Sequence, residues 1–322
     1  MLETLSNAPD RATLPAPGGA CWLGLQDELD RLVQMAWEPG WAPSALSRLV
    51  ALCTALRAEA ELWPALQASL RAHPLHRLMQ EDPLVFHATA PSTSRASYLD
   101  LAIGHAAADP MLSGTSRAGL DLFTVTRELP CFAMLRARTA YLARVVDAVA
   151  EQRPGARILS LSAGHLREAA SVRHGDDIGT WAVLEPDHPN RRVALAQVPA
   201  GVRALTMRGS LRGFGRRPYR LGCFDLVTLP RLPKFPAADL RQIVAAAFAV
   251  LNPGGRLLVC SPLAPVPEAA WMEAFLETEP RWTSSRELDA LLDVVPAADC
   301  ASWQVVPSLD GHMSYAILRR RG

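Results

Sequence analysis

The spacing of apolar positions changes character along the chain. Trp22, Leu25, Leu29, Leu32 and Ala36 recur three and four apart, with Asp27, Glu28, Asp30 and Arg31 on the opposite side. This predicts an amphipathic helix that ends at Pro39-Gly40, after a loose arm over residues 1–20. A second helix starts near Pro43-Ser44 and carries Leu46, Leu49, Val50, Cys53 and Leu56. Shorter ones begin at Pro64 and Pro74, since proline in a first turn forfeits no hydrogen bond. Over residues 82–129 the periodicity fades among Pro83, Pro91, Ser94, Pro110, Ser113 and Ser116, and the segment reads either as a lid over a binding site or as short surface helices. From Pro130 a longer helix carries Met134, Ala137, Tyr141, Val145 and Val149 and stops at Pro154-Gly155.

Beyond residue 156 short apolar runs take over. Residues 158–161 are too few for a helix and read as a buried strand that stops at Ser162-Ala163-Gly164; residues 165–170 are helix-compatible, and residues 181–184 form a second strand ending on Glu185. A weak strand over 202–206, an arginine-rich loop, a buried strand over 224–229 and an amphipathic helix through Leu240, Ile243, Val244, Ala247 and Leu251 follow. Asn252-Pro253-Gly254-Gly255 breaks that helix before a strand at 256–260. Such alternation specifies a parallel sheet covered on both faces. The runs 303–306 and 313–318 are too close for a crossover helix, so they form a hairpin and the last strand is antiparallel. The chain divides into a helical cap and lid region, 1–129, and an α/β domain, 130–322.

Composition narrows the function. Among 322 residues, 33 basic side chains balance 32 acidic ones, which leaves no field to attract nucleic acid. Six scattered cysteines form neither a zinc motif nor a disulfide framework, and no run approaches a membrane span. His73 and His76 lack a third metal ligand and read as surface residues, as Arg208, Arg212, Arg216, Arg217 and Arg220 read as a solvated loop. A cytoplasmic enzyme is the default expectation.

The chemistry is concentrated in residues 157–190. A ligand lying across strand ends needs close backbone, hence the small-residue turn, and a ribose diol needs a carboxylate on the neighbouring strand tip. Glu185 stands 21 positions after Gly164 (185 minus 164), near the offset of about 20 that a nucleotide-binding βαβ unit imposes.

Four stretches in order, RILSLSAGH, WAVLEPD, FDLVTLPRL and LNPGGRLLV, resemble the class I S-adenosylmethionine-dependent methyltransferases. The resemblance covers about residues 156–320 and implies a Rossmann-like seven-stranded, mostly parallel sheet with a C-terminal antiparallel hairpin, preceded by the helical N-terminal region. SAGHLREA, LNPGGRLLVCSPL followed by WMEAF, and PCFAMLRART are similar to a bacterial subgroup that includes quorum-sensing 3-hydroxy fatty acid methyl ester synthases, which esterify a carboxylate. The subgroup's Lys-Pro-Arg-Gly-Tyr-Ala-Gly-Asp-like run is replaced here by TAPSTSRASYLDLAIG.

The resemblance implies S-adenosylmethionine as cofactor. Ser160, Ser162 and Gly164 occupy the places of an acidic residue, Gly and Gly; Glu185 takes the ribose, Gly209 and Ser210 stand near the adenine, and Leu229 lies beside the transferred methyl. The acceptor is then a small molecule such as a hydroxy or fatty acid, and a homodimer is left open. An anionic acceptor needs a clamp, for which Arg136, Arg138 and Arg167 are candidates, because arginine presents a planar fork to carboxylates. His165 is a candidate base for a hydroxyl or amine nucleophile, or else fixes the turn by hydrogen bonds. The alternative function is a non-catalytic binding or scaffold protein in which Ser160 and Ser162 mark a decayed cofactor site. A nicotinamide-dependent oxidoreductase is disfavoured by the missing third glycine and the terminal hairpin.

Overall fold

The computed structural model describes residues 20–36, 38, 40–218, 222–263, 265–278 and 281–322. The arm expected before residue 20, the Pro39 stop, and Tyr219 and Arg220 of the arginine-rich loop lie outside the described residues, as does the side chain of Trp22.

Among the described residues eight α-helices precede the sheet, α1 (Ala20–Met35), α2 (Ala42–Arg57), α3 (Trp63–Ala72), α4 (Pro74–Met79), α5 (Pro83–Thr89), α6 (Arg95–Ile103), α7 (Arg117–Thr126) and α8 (Pro130–Gln152), with a 3-10 helix at Ala106–Leu112 between α6 and α7. Residues 82–129 are thus helical, and their helices reach the core through Leu84, Val85, Tyr98, Leu101, Leu122 and Phe123. The polar breakers of the sequence are their starts. Asp82, Ser94 and Ser116 each accept a hydrogen bond from a first-turn amide, that of Leu84, Ser97 and Gly119 respectively. His73 does the same for α4: its Nδ1 accepts from the Leu75 amide while Nε2 meets Asp30, so it is a buried cap and not a surface histidine.

The strands are β1 (Ala156–Leu161), β2 (Ile178–Leu184), β3 (Arg203–Met207), β4 (Phe224–Leu229), β5 (Leu251–Pro262), β6 (Cys300–Pro307) and β7 (Met313–Arg320), in the order β3-β2-β1-β4-β5-β7-β6. β7 runs antiparallel between β5 and β6, and the other pairings are parallel. This is a Rossmann-like, mostly parallel seven-stranded sheet with a C-terminal antiparallel hairpin. The remaining helices are α9 (His188–Gln197), α10 (Leu211–Arg216), α11 (Ala237–Ala249), α12 (Ala269–Phe275) and α13 (Ser285–Leu292).

Strand alternation divides the core. Ile158, Trp181, Val183, Leu226 and Leu258 face α8 and the N-terminal helices in one continuous apolar cluster. Leu159, Leu161, Ala182, Val227, Leu229 and Val259 face the opposite way, against α10, α11 and α13. Burial on both faces accounts for the unbroken apolar runs.

Two expectations are corrected. Residues 165–170 do not form an α-helix: the β1–β2 crossover contains only 3-10 turns at Arg167–Ser171 and Gly175–Asp177. Leu166 sits in the left-handed region at φ 55°, and Arg167 is held by an ion pair to α6, so the chain cannot enter an α-helix there. The Asn252–Gly255 break is also shorter than expected, because those residues already belong to β5. A Cβ on Gly255 would lie 2.9 Å from the Phe224 carbonyl oxygen, so only glycine allows this close entry beside β4.

Asp82 is fully buried, and burial pushes its carboxyl from 3.8 up to about 7. The folded state therefore keeps a proton that the unfolded chain releases, and stability falls as pH rises from about 4 to about 7, by up to about 4 kcal/mol. Asp82→Asn keeps the helix-capping oxygen and removes the titration; urea unfolding at pH 4.5 and 7.5 is expected to show a smaller difference for the variant than for the parent.

Candidate functional site

The C-terminal ends of β1, β2 and β4 open on one crevice, and the loop after β1 forms its floor. Ser162, Gly164 and Leu166 all have positive φ, near 55°, which strains the two residues that are not glycine. Neighbouring groups hold the loop in this shape. The Ser162 amide donates to the Leu184 carbonyl at 2.8 Å, adding one rung to the β1–β2 pairing. The Gly164 amide donates to Glu185 Oε2 at 2.8 Å, and Glu185 Oε1 accepts from the Asp187 amide at 3.2 Å. The two ends of the 21-residue offset are in direct contact, and Glu185 is buried at the tip of β2.

Ser160 faces the other way from this crevice. Its buried hydroxyl accepts from Trp181 Nε1 at 3.0 Å and from the Thr228 hydroxyl at 3.1 Å, so it is committed to the interior between β1, β2 and β4. Ser210 caps α10 by accepting from the Gly213 amide, beside Gly209 at φ 129°. The Leu229 side chain is fully buried in the core against α11.

His165 joins the loop to two helices. Its Nδ1 lies 2.6 Å from Asp100 Oδ2 on α6, and Nε2 lies 3.0 Å from Asn190 Oδ1 on α9. Arg167 clamps the same Asp100 carboxylate from Nε at 2.8 Å and from a terminal nitrogen at 2.7 Å. Ser94, the cap of α6, donates to Asn190 Oδ1 at 3.1 Å. Burial pushes the Asp100 carboxyl up, but the hydrogen bonds from Arg167 and His165 outweigh it and hold the group below the ordinary aspartate range. The first turn of α6 consequently lies over the loop: a Cβ on Gly164 would stand 3.8 Å from the Cβ of Ala96. With both ring nitrogens engaged, His165 is arranged to hold the loop.

The candidate clamp residues separate. Arg136 donates to the Arg127 carbonyl and, at 2.8 Å, to Glu128. Arg138 turns inward, its Nε is inaccessible and has no hydrogen-bond partner, and the same holds for Oε1 of the buried Glu168. Burial lowers Arg138 and raises Glu168, while each charge favours the ionised form of the other. The charges of two further arginines, Arg95 and Arg231, act with that of Arg138. Arg95 opens α6, with its guanidinium 5.3 Å from the Tyr98 ring centroid. Arg231 follows β4 and is lowered by loss of hydration and then by the charges of Arg95 and Arg138, with Glu185 opposing.

Sequence patterning did not single out Arg95, Asp100, Asn190 or Arg231, because none lies within a strand-end motif. The one local signal was Ser94, a cap that fixes where α6 begins. Beyond Glu185, whose carbonyl accepts from Arg191 at 2.7 Å, an open cavity of about 840 Å³ lies between α9 and the end of β3. No helix among the described residues is long and apolar enough to cross a membrane.

No protein-family model matches the sequence, and no curated protein matches it. Solved structures do resemble it. A possible exported protein from Bordetella parapertussis superposes with TM-score 0.51 at 14% identity, covering 81% of this chain and 97% of that one. An O-methyltransferase family protein from Burkholderia thailandensis gives 0.44 at 19% identity, over 68% of this chain and 62% of that one. An amino pentose methyltransferase from Micromonospora echinaspora, solved with S-adenosylmethionine bound, gives 0.40 at 17% identity, over 57% of this chain and 90% of that one. What is shared with the Bordetella chain is the fold.

Asp100 is the testable centre of this arrangement. Asp100→Ala leaves a buried guanidinium and imidazole without their anion and is expected to cost about 3–5 kcal/mol at pH 7 in urea unfolding. Because the folded carboxyl is depressed, the stability it confers is fully present above the unfolded aspartate range and is lost as pH falls through the folded value, so the gap between parent and variant narrows in acid.

Proposed function

We propose that this protein is an S-adenosylmethionine-dependent methyltransferase that acts on a carboxylate oxygen of a small organic acid. One observation carries the reading: at the ends of β1 and β2 the buried Glu185 carboxylate is tied to the Gly164 amide, so that the small-residue turn and the carboxylate of the nucleotide-binding offset are in direct contact.

The residues fit the cofactor. Each Glu185 oxygen accepts one backbone amide and keeps a lone pair for a ribose hydroxyl, the Ser162–Gly164 backbone serves the methionine end, and Gly209 admits the adenine edge. Bound S-adenosylmethionine supplies an electrophilic methyl on a sulfonium. An acceptor carboxylate is already anionic at neutral pH, so its oxygen forms the new O–C bond as the S–C bond breaks, the electron pair goes to sulfur, and no protein base is needed. The chain's work is alignment and exclusion of water. Arg138 orients the acceptor, Glu185 orients the nucleoside, and α6 over the loop keeps solvent out. His165 and Arg167 are positioning residues in this scheme, and Arg136, held by Glu128, stands outside it.

A second reading, a binding or scaffold protein with this fold, is favoured by Ser160, whose hydroxyl is committed to Trp181 and Thr228. Calorimetric titration with S-adenosylmethionine and S-adenosylhomocysteine, with NAD as control, separates the two. Micromolar binding of the first two, about 8 kcal/mol, supports the enzyme; no binding to a folded sample supports the scaffold.

The two halves of the crevice are expected to separate kinetically. Glu185→Ala weakens cofactor affinity by at least about 10-fold, the scale of one hydrogen-bonded contact. Arg138→Gln instead raises acceptor KM about 10-fold at unchanged cofactor affinity, the loss of one charge-assisted contact. Parallel changes in both parameters for both variants would remove these assignments.

A further inference from the structure

Arg191, Arg192 and Arg208 border one open cavity of about 840 Å³ at the edge of the sheet, where β3 ends the strand order. Helix α9 forms one wall. His188 and the residues three, four and seven positions on, Arg191, Arg192 and Leu195, share a single helix face. The end of β3 forms the other wall. Thr206 pairs with Val183 of β2, whose side chain belongs to the core cluster that reaches Ala194 and Leu195, so Thr206 points to the side of the sheet that α9 covers. Arg208, which the sequence places in a solvated loop, closes the cavity after β3.

Among the described residues no carboxylate lines this space. Glu185 is turned to the Gly164 and Asp187 amides, and Asp187 caps α9 by accepting from the Asn190 amide. Arg191 is fixed in place. One of its terminal nitrogens donates to the Glu185 carbonyl at 2.7 Å and to the Pro186 carbonyl at 3.2 Å, which leaves Nε and the second terminal nitrogen for a ligand. Arg192 makes no hydrogen bond or ion pair with a described residue.

Guanidiniums around one space repel one another, and an anion between them removes that cost while gaining two-pronged, charge-assisted hydrogen bonds. S-adenosylmethionine is not that anion: its adenine and ribose carry no negative charge, and its sulfonium and ammonium outweigh its one carboxylate. A phosphate monoester fits, with close to two negative charges and three acceptor oxygens in the geometry that arginine forks match. Size argues for more than phosphate. Small-molecule sites occupy roughly 300–1,000 Å³, and Leu195 and Met207 offer this cavity an apolar surface for an organic part. With 33 basic residues against 32 acidic ones the chain has no extended field for a nucleic acid, so the positive charge is local.

We propose that the cavity between α9 and β3 is a binding site for a phosphorylated small molecule of about nucleotide size, its phosphate held by Arg191, Arg192 and Arg208. The site lies beside the proposed nucleoside crevice, and Arg191 joins the two through the Glu185 carbonyl. This assignment holds whether or not the protein transfers a methyl group.

The test is calorimetry on the full chain with UMP against uridine and ribose 5-phosphate against ribose, with and without saturating S-adenosylhomocysteine. Each phosphate ester is expected to bind at least about 10-fold tighter than its uncharged parent, and Arg192→Gln and Arg208→Gln each to remove most of that difference, the scale of one charge-assisted contact. Both positions are exposed, so the variants keep the fold, which thermal unfolding checks. Arg286→Gln, exposed on α13 across the sheet, is the control and keeps the parent's affinities. Equal affinity for ester and uncharged parent, or a loss in Arg286→Gln as large as in the cavity variants, overturns the proposal. So does competition between UMP and S-adenosylhomocysteine, which puts the ester in the nucleoside crevice. A short single-stranded DNA that outbinds UMP and weakens in the same two cavity variants makes the partner a nucleic acid and overturns it as well. Failure of S-adenosylhomocysteine to bind counts against the methyltransferase reading alone, because the ester ratio is still measured without it.

Discussion

The buried carboxylate of Asp100 is the interaction on which the arrangement of the crevice depends. It accepts from both an imidazole and a guanidinium of the loop after β1, while its own helix, α6, belongs to the N-terminal region. Removing a guanidinium, an imidazole and a carboxylate from water is unfavourable unless geometry and charge both compensate, and here a fork-to-fork contact between Arg167 and Asp100 supplies the compensation. The contact fixes a loop that contains three left-handed residues, and it sets the first turn of α6 over Gly164. One ion-pair cluster thus joins the helical region to the sheet at the place where the chemistry is proposed to occur.

From that junction the crevice acquires two unlike sides. Toward β2 the groups are backbone amides and the Glu185 carboxylate, a surface suited to hydroxyls and polar edges. Toward α8 stands the Arg138 guanidinium, its Nε without an acceptor among the described residues and the Glu168 carboxylate as its counter-charge. Ser160 belongs to neither side: a position where the resembling family carries an acid has become part of the interior, with the indole of Trp181 as its partner. The apolar cluster beneath runs continuously from the N-terminal helices to the sheet, so the helices that cover the crevice are held by the same core that supports its floor.

Much of the fold was legible because burial on both faces of a parallel sheet writes itself as short apolar runs. The strand at 224–229 and the antiparallel end followed from such runs and from loop length alone. The segment 82–129 was harder, since Pro83, Ser94 and Ser116 break periodicity and also begin helices; a cap and a breaker are the same residue types, and only the amide that the side chain meets distinguishes them. The Ser284–Glu287 capping box, which the apolar spacing did not single out, marks the start of α13. Arg136 and Arg138 stand two apart on one helix and therefore point to different sides, toward Glu128 and toward the interior.

By itself the sequence determined the alternating core, the helical region before it and the spacing of Gly164 and Glu185, because each rests on spacing within one short stretch; that the two are joined by a hydrogen bond is seen only in the structure. The tertiary structure alone decided that His165 is engaged on both nitrogens, that α6 covers the loop, and that Asp100 accepts from both His165 and Arg167. Those contacts link residues 25 to 68 positions apart, from 165 to 190 (190 minus 165) and from 96 to 164 (164 minus 96). Charges and hydrogen bonds at such separations leave no local period, since they depend on where whole elements pack and not on the chain between them.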